Sequence, residues 1–203
     1  MDTLERDTAG REETEGRKDM NAAWKHLKTI LKHKAIVFRE CKSCGIVWQG
    51  IKHDLSKLTP AEFLPSARYF QGDRSPIEKE KEEAGYSKAW LHHKGHNPHH
   101  WEYWTDFGSN GEVIANKIPS DYVIEMVCDW IGAGMVYSSD KWNQSEPLNY
   151  YNKVRAGLHF HPETEKLIVK LLEIIRDDGL ETFHEVCKKR YPLLTDYDGI
   201  YIP

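Results

Sequence analysis

The chain has 203 residues, 39% of them hydrophobic, enough for one domain with a real core, and its net charge of −4 argues against broad nucleic-acid or membrane-surface binding. No apolar run is long enough to cross a bilayer, and the charged N-terminus lacks a secretory hydrophobic stretch, so a cytoplasmic protein is expected. Small or local anionic molecules stay open as substrates.

Residues 1–20 are almost all charged or small, without periodicity, which predicts a flexible tail. From Ala22 to Trp48 apolar residues recur at three and four: Trp24, Leu27, Ile30 and Leu31, then Val37, Cys41 and Cys44. That spacing predicts a long amphipathic helix, or two, with His33 turned inward on the face of Ile30, Ile36 and Val37. Cys41 and Cys44 have the spacing of a zinc or redox pair, but Cys128 and Cys187 form no second pair. The first two therefore read as small buried hydrophobes. Gly45 and Gly50 weaken helix in the next segment and place His53-Asp54 near a helix end. There an adjacent imidazole and carboxylate offer two ligands to one divalent metal.

Thr59-Pro60-Ala61-Glu62 reads as a helix start, with Thr59 as N-cap, Pro60 in the first turn and Glu62 closing a capping box; the helix should run through Tyr69. Gln71 to Gly85 reads as a polar loop with at most one solvated turn. Five of the 11 histidines fall between His92 and His100, and Asn97-Pro98 bends the chain between His92, His93 and His96 on one side and His99 and His100 on the other. Phe107 to Gly111 is a loop. Pro119-Ser120-Asp121 opens a helix through Asp129 to about Tyr137, whose ligand face would carry Glu125, Asp129, Gly132 and Ala133. His161-Pro162-Glu163 enters another helix, with Leu167, Ile168, Leu171, Leu172 and Ile175 at helical spacing up to Gly179, followed by a short helix from Leu180 to Lys189. A Tyr/Pro-containing tail is expected across the surface. No alternating strand and no repeat is seen, so the class is all-α. Residues 21–140 form a metal-binding helical domain, and the helices of 141–203 pack on it.

Each candidate has a plainer reading: His33 as a hydrogen-bonded core histidine, His53-Asp54 as a chance pair, Asp129 as a cap or lysine partner. Their joint order favours the metal. His33…His53-Asp54…Asp129, with Lys57 closing the run His53-Asp54-Leu55-Ser56-Lys57, resembles the HD superfamily of metal-dependent phosphohydrolases over roughly Trp24 to Tyr137. More narrowly, that run together with His93…Asn97-x-His99-His100 and Glu125-Met126-x-Cys128-Asp129-Trp130 resembles an uncharacterised bacterial and phage family of unknown function, which names no substrate.

The superfamily resemblance implies an HD-like helical domain with a C-terminal helical extension. One or two divalent transition metals per chain would be held by His33, His53, Asp54 and Asp129, a donor set that suits Mn, Fe, Co, Ni or Zn better than Mg or Ca. The implied reaction is hydrolysis of a small phosphate ester, a nucleotide among the candidates, with Lys57 contacting phosphate. His93 and His100 would serve as auxiliary ligands or proton carriers, with His92 or His99 as alternatives, and Glu125 would orient a ligand or a water. Crowding of these histidines around one bend departs from binuclear relatives, and the Gly-Tyr-Pro signature of the phosphodiesterase branch is absent. Two rivals share the scaffold: an HD-type di-iron oxygenase, and a non-catalytic accessory protein that keeps its metal for stability and uses the aromatics from Trp101 to Trp104 as an interaction surface.

Overall fold

The computed structural model describes residues 2–198, with side chains described from Met20 onward except that of Ser139. Over residues 2–20, expected as a tail, the backbone is helical, while the side chains before Met20 lie outside the described residues. Nine α-helices occur among the described residues: α1 (Asp2–Ser43), α2 (Val47–Lys52), α3 (Pro60–Arg68), α4 (Pro76–Ala84), α5 (Lys88–His96), α6 (Ser120–Tyr137), α7 (Glu146–Val154), α8 (Pro162–Lys188) and α9 (Pro192–Asp198). With 74% of the chain helical, the all-α class holds. One element departs from it. Thr105–Phe107 (β1) and Val113–Ala115 (β2) pair antiparallel, Thr105 opposite Ala115, on either side of the loop expected after Phe107, although no strand was expected. No helix is long and apolar enough to cross a membrane among the described residues.

The chain divides into two compact units: Met1–Leu31 with Ser56–His93, and Lys32–Leu55 with Lys94–Pro203. In the first, α3 packs on α4. Helix α4 replaces the predicted loop. It has no apolar stripe, yet Pro76 in its first turn, an i,i+4 pair between Lys79 and Glu83 (3.0 Å) and the left-handed Gly85 (φ 79°) at its end define it. The Glu80 carboxylate is buried because the Ser87 hydroxyl and the Lys88 backbone N–H both donate to it. Pro60 opens α3 as expected, but the capping box does not form. The Thr59 hydroxyl donates to the Ser56 carbonyl (2.7 Å), and Glu62 is drawn away to two histidines.

In the second unit, α6 is the hub and packs against α2, α7, α8 and α9. Val123, Ile124, Val127 and Ile131 of α6 are fully buried with Val37 and Cys41 of α1, with Ile168, Leu171, Leu172, Ile175 and Phe183 of α8, and with Leu194 of α9. Removing this much apolar surface from water is the main stabilising contribution. The predicted break at Gly179 is real: its φ of 89° and ψ of 171° interrupt α8. One expectation is corrected. Up to Asp198 the C-terminal segment is not a surface tail, since α9 buries Leu194 and Tyr197; the rest of that expected tail, residues 199–203, lies outside the described residues. Cys41 and Cys44 are buried as expected, and Cys128 and Cys187 with them: the Cys44 and Cys128 sulfurs lie 3.9 Å apart and Cys187 lies against Cys44, all four thiols being free. On α1 the inward line is His26, Ile30, His33, Val37 and Cys41, with Cys44 buried just past its end, whereas Trp24 and Leu31 are exposed.

Candidate metal centre

Three chain segments of the second unit bring the donor groups together. His33 belongs to the inward line of α1 and is buried. Helix α2 lies close on α1 because Gly50 has no side chain; a Cβ there would stand 2.9 Å from Cys41 Cβ and 3.3 Å from the Phe38 backbone. The end of α2 is thereby carried alongside His33: His53 is its C-cap and Asp54 follows with φ 54°, in the left-handed region that non-glycine residues seldom occupy. Asp129 comes from α6, one turn after Glu125. Gly132 lets α1 approach α6, since a Cβ there would meet Val37 Cγ2 at 2.6 Å and His33 Cε1 at 3.4 Å.

The nearest donor atoms of His33, His53, Asp54 and Asp129 all lie within 4.8 Å of one another. His33 Nε2 is 2.9 Å from Asp129 Oδ1, 3.4 Å from His53 Nε2 and 3.7 Å from Asp54 Oδ2. His53 Nε2 is 3.3 Å from Asp54 Oδ2 and 3.5 Å from Asp129 Oδ1. Ligands bound at about 2.1 Å to one ion stand about 3.0–3.4 Å apart, so these separations match a shared cation with little rearrangement. The donor set fits: two imidazoles and two carboxylates suit a borderline transition metal.

Glu125 completes the arrangement from behind. Its Oε1 lies 2.9 Å from His53 Nδ1 and 3.1 Å from His99 Nδ1. With each Nδ1–H donating to that carboxylate, the neutral rings keep their Nε2 lone pairs turned the other way. His99 Nε2 faces Asp54 Oδ1 at 3.6 Å and Asp129 Oδ2 at 3.9 Å. A lone pair aimed at carboxylate oxygens is favourable only with a cation, proton or metal, between them. The electrostatics agree. Burial pushes His53 down, but Asp54, Asp129 and Glu125 together hold it well above the usual imidazole range. Burial pushes Asp129 and Glu125 up, and their histidine partners outweigh it and hold both down, Asp129 well below its ordinary value.

Of the residues proposed from sequence, His33, His53, Asp54 and Asp129 converge, and Glu125 stands behind them as an orienting carboxylate that does not face the shared point with its bonded oxygen. His99, offered only as an alternative, is the cluster histidine that Glu125 turns towards the aspartates. The His100 ring lies against that of His99, their centroids 4.2 Å apart and their planes tilted by 45°. Nothing in the spacing singled out His99, because Asn97-Pro98 takes the chain out of helical geometry where periodicity assigns no face. His93 and Lys57 belong to the first unit. There His93 Nδ1 bonds Glu62 Oε2 (2.8 Å) while His92 Nδ1 bonds Glu62 Oε1 (2.7 Å). Lys57 acts on His26, whose pKa burial and then the Lys57 charge lower to about 4.

A family model described as a family of unknown function (DUF5662) matches residues 22–174, a span that includes every residue of this cluster. No curated protein and no solved structure matches the chain.

Proposed function

The chain belongs to the DUF5662 family of unknown function, and from that premise we propose that it is a divalent-metal phosphohydrolase acting on a small phosphate ester, a nucleotide among the candidates. The observation that carries the reading is the convergence of two imidazole Nε2 atoms and two aspartate oxygens on one point, with Glu125 fixing the tautomers behind them. His33, His53, Asp54 and Asp129 hold the ion, and His99 offers a further nitrogen. The order of these residues resembles HD-domain phosphohydrolases. A metal so bound supplies a Lewis acid for a phosphoryl oxygen and a water of lowered pKa. The protein's own groups do the rest: Asp54 and Asp129 neutralise the ion's charge, Glu125 keeps His53 and His99 in their ligating tautomers, and His100, beside His99, is assigned to proton transfer. The protein would act in the cytoplasm, a reducing compartment in which its four free thiols persist.

Elemental analysis of the purified full-length chain, beside the double variant His53→Ala with Asp54→Ala, tests the site. Bound transition metal that disappears in a still-folded double variant is expected; unchanged metal content ends the assignment. A panel of phosphate esters with Mn, Co, Ni and Fe then tests the reaction. Absence of turnover by metal-loaded protein would leave the centre as a stabilising element of an accessory protein.

A further inference from the structure

His33 is followed by Lys34, whose side chain takes no place among the donors. Its Nζ donates instead to two backbone carbonyls at the end of α2, that of Ile51 at 2.8 Å and that of His53 at 2.6 Å. The last carbonyls of a helix have no intrahelical partner, and an ammonium group satisfies them with charge-assisted bonds. The second contact reaches further than capping. The His53 carbonyl belongs to the peptide unit that joins His53 to Asp54, so fixing its direction fixes ψ of His53 and φ of Asp54 together. Asp54 sits at φ 54°, in the left-handed region that non-glycine residues seldom occupy, and contacts that hold the preceding peptide favour it.

We propose that Lys34 is the positioning residue of the metal centre: its ammonium clamps the His53–Asp54 peptide so that the Asp54 carboxylate and the His53 ring meet the same ion as His33. The proposal rests on the metal reading given above. It explains why one short stretch of α1 serves two purposes, His33 as a ligand and its neighbour as the anchor for the other two ligands of that side. Lys32, exposed on the same helix, has no such bond and serves as the control position.

The test uses the full-length chain with Co(II) as probe, followed by visible absorption and by titration. Wild type and Lys32→Met should bind Co(II) with one ligand-field spectrum. Lys34→Met should bind about 10- to 100-fold more weakly, the range for loss of a group that orients a ligand, and with a changed spectrum, because the carboxylate is no longer aimed. Lys34→Arg, which keeps the charge and the donors, should recover the wild-type spectrum. If circular dichroism finds Lys34→Met unfolded, Lys34→Gln takes its place with the same expected weakening. Wild-type affinity and spectrum in a folded Lys34→Met or Lys34→Gln overturn the assignment, as does an Arg variant no better than the Met one. A wild-type chain that takes up no Co(II) removes the metal reading itself, and this assignment with it.

Discussion

A β-carbon at position 132 would have to displace Val37 and crowd the His33 ring, so this one missing methyl sets how closely α1 and α6 can approach. Gly132→Ala is therefore expected to lower stability by about 1–3 kcal/mol, the cost of overpacking a filled core, and to weaken metal uptake because His33 is pushed away from Asp129. Denaturant unfolding and Co(II) titration read the two effects separately; a variant with wild-type values in both would contradict the packing argument. At this scale much of the centre was legible from the sequence. His33 lay on an apolar face, His53 and Asp54 were adjacent at a helix end, and Asp129 followed apolar residues on a helix, all properties of local order. Glu125 was visible as a neighbour one turn away, but that it serves two rings at once is set by tertiary packing. Lys34 gave no signal, since a lysine reaching a carbonyl 17 residues further on has no local signature.

Long apolar stripes, those of α1 from Ala22 onward, α6 and α8, were readable; the short helices α4, α7 and α9 were not. Helix α4 buries only Pro76 and Glu80, and α9 is so short that its two buried residues, Leu194 and Tyr197, give no period. The β1–β2 hairpin is equally silent, three residues a strand with Phe107, Val113 and Ile114 exposed. Because α9 is part of the core, Leu194→Ala should cost about 2–5 kcal/mol as a cavity-forming change. Leu64→Ala on the exposed face of α3 should fall within about 0.5 kcal/mol of wild type. Comparable small losses in chemical denaturation would return the C-terminal segment to the surface.

At the scale of the whole molecule, α1 and α8 are tied by a pair that titrates: His184 Nε2 donates to Glu40 Oε2 at 2.8 Å, and Arg39 donates to the other carboxylate oxygen. Burial opposes the charge on both groups, yet the pairing wins, raising His184 above its ordinary value and lowering Glu40 below its own. The His184 contribution is present in full below its ordinary pKa of 6.5 and is lost as pH rises through the raised folded value. The Glu40 contribution is present above its ordinary 4.5 and is lost as pH falls through the lowered one. Stability from the pair should be greatest between those ordinary values and decline on either side. Thermal melts of His184→Gln should have a flatter alkaline limb than wild type, and parallel limbs would show that the pair contributes nothing. The division into two units was not legible, because apolar periodicity reports which face is buried and not which partner covers it. Each unit is assembled from two separated stretches of chain, so no single peptide-bond cut releases either as an uninterrupted fragment. Truncation at Leu55 would split both and truncation at Leu31 the first alone, and reconstitution would require complementary pieces expressed together.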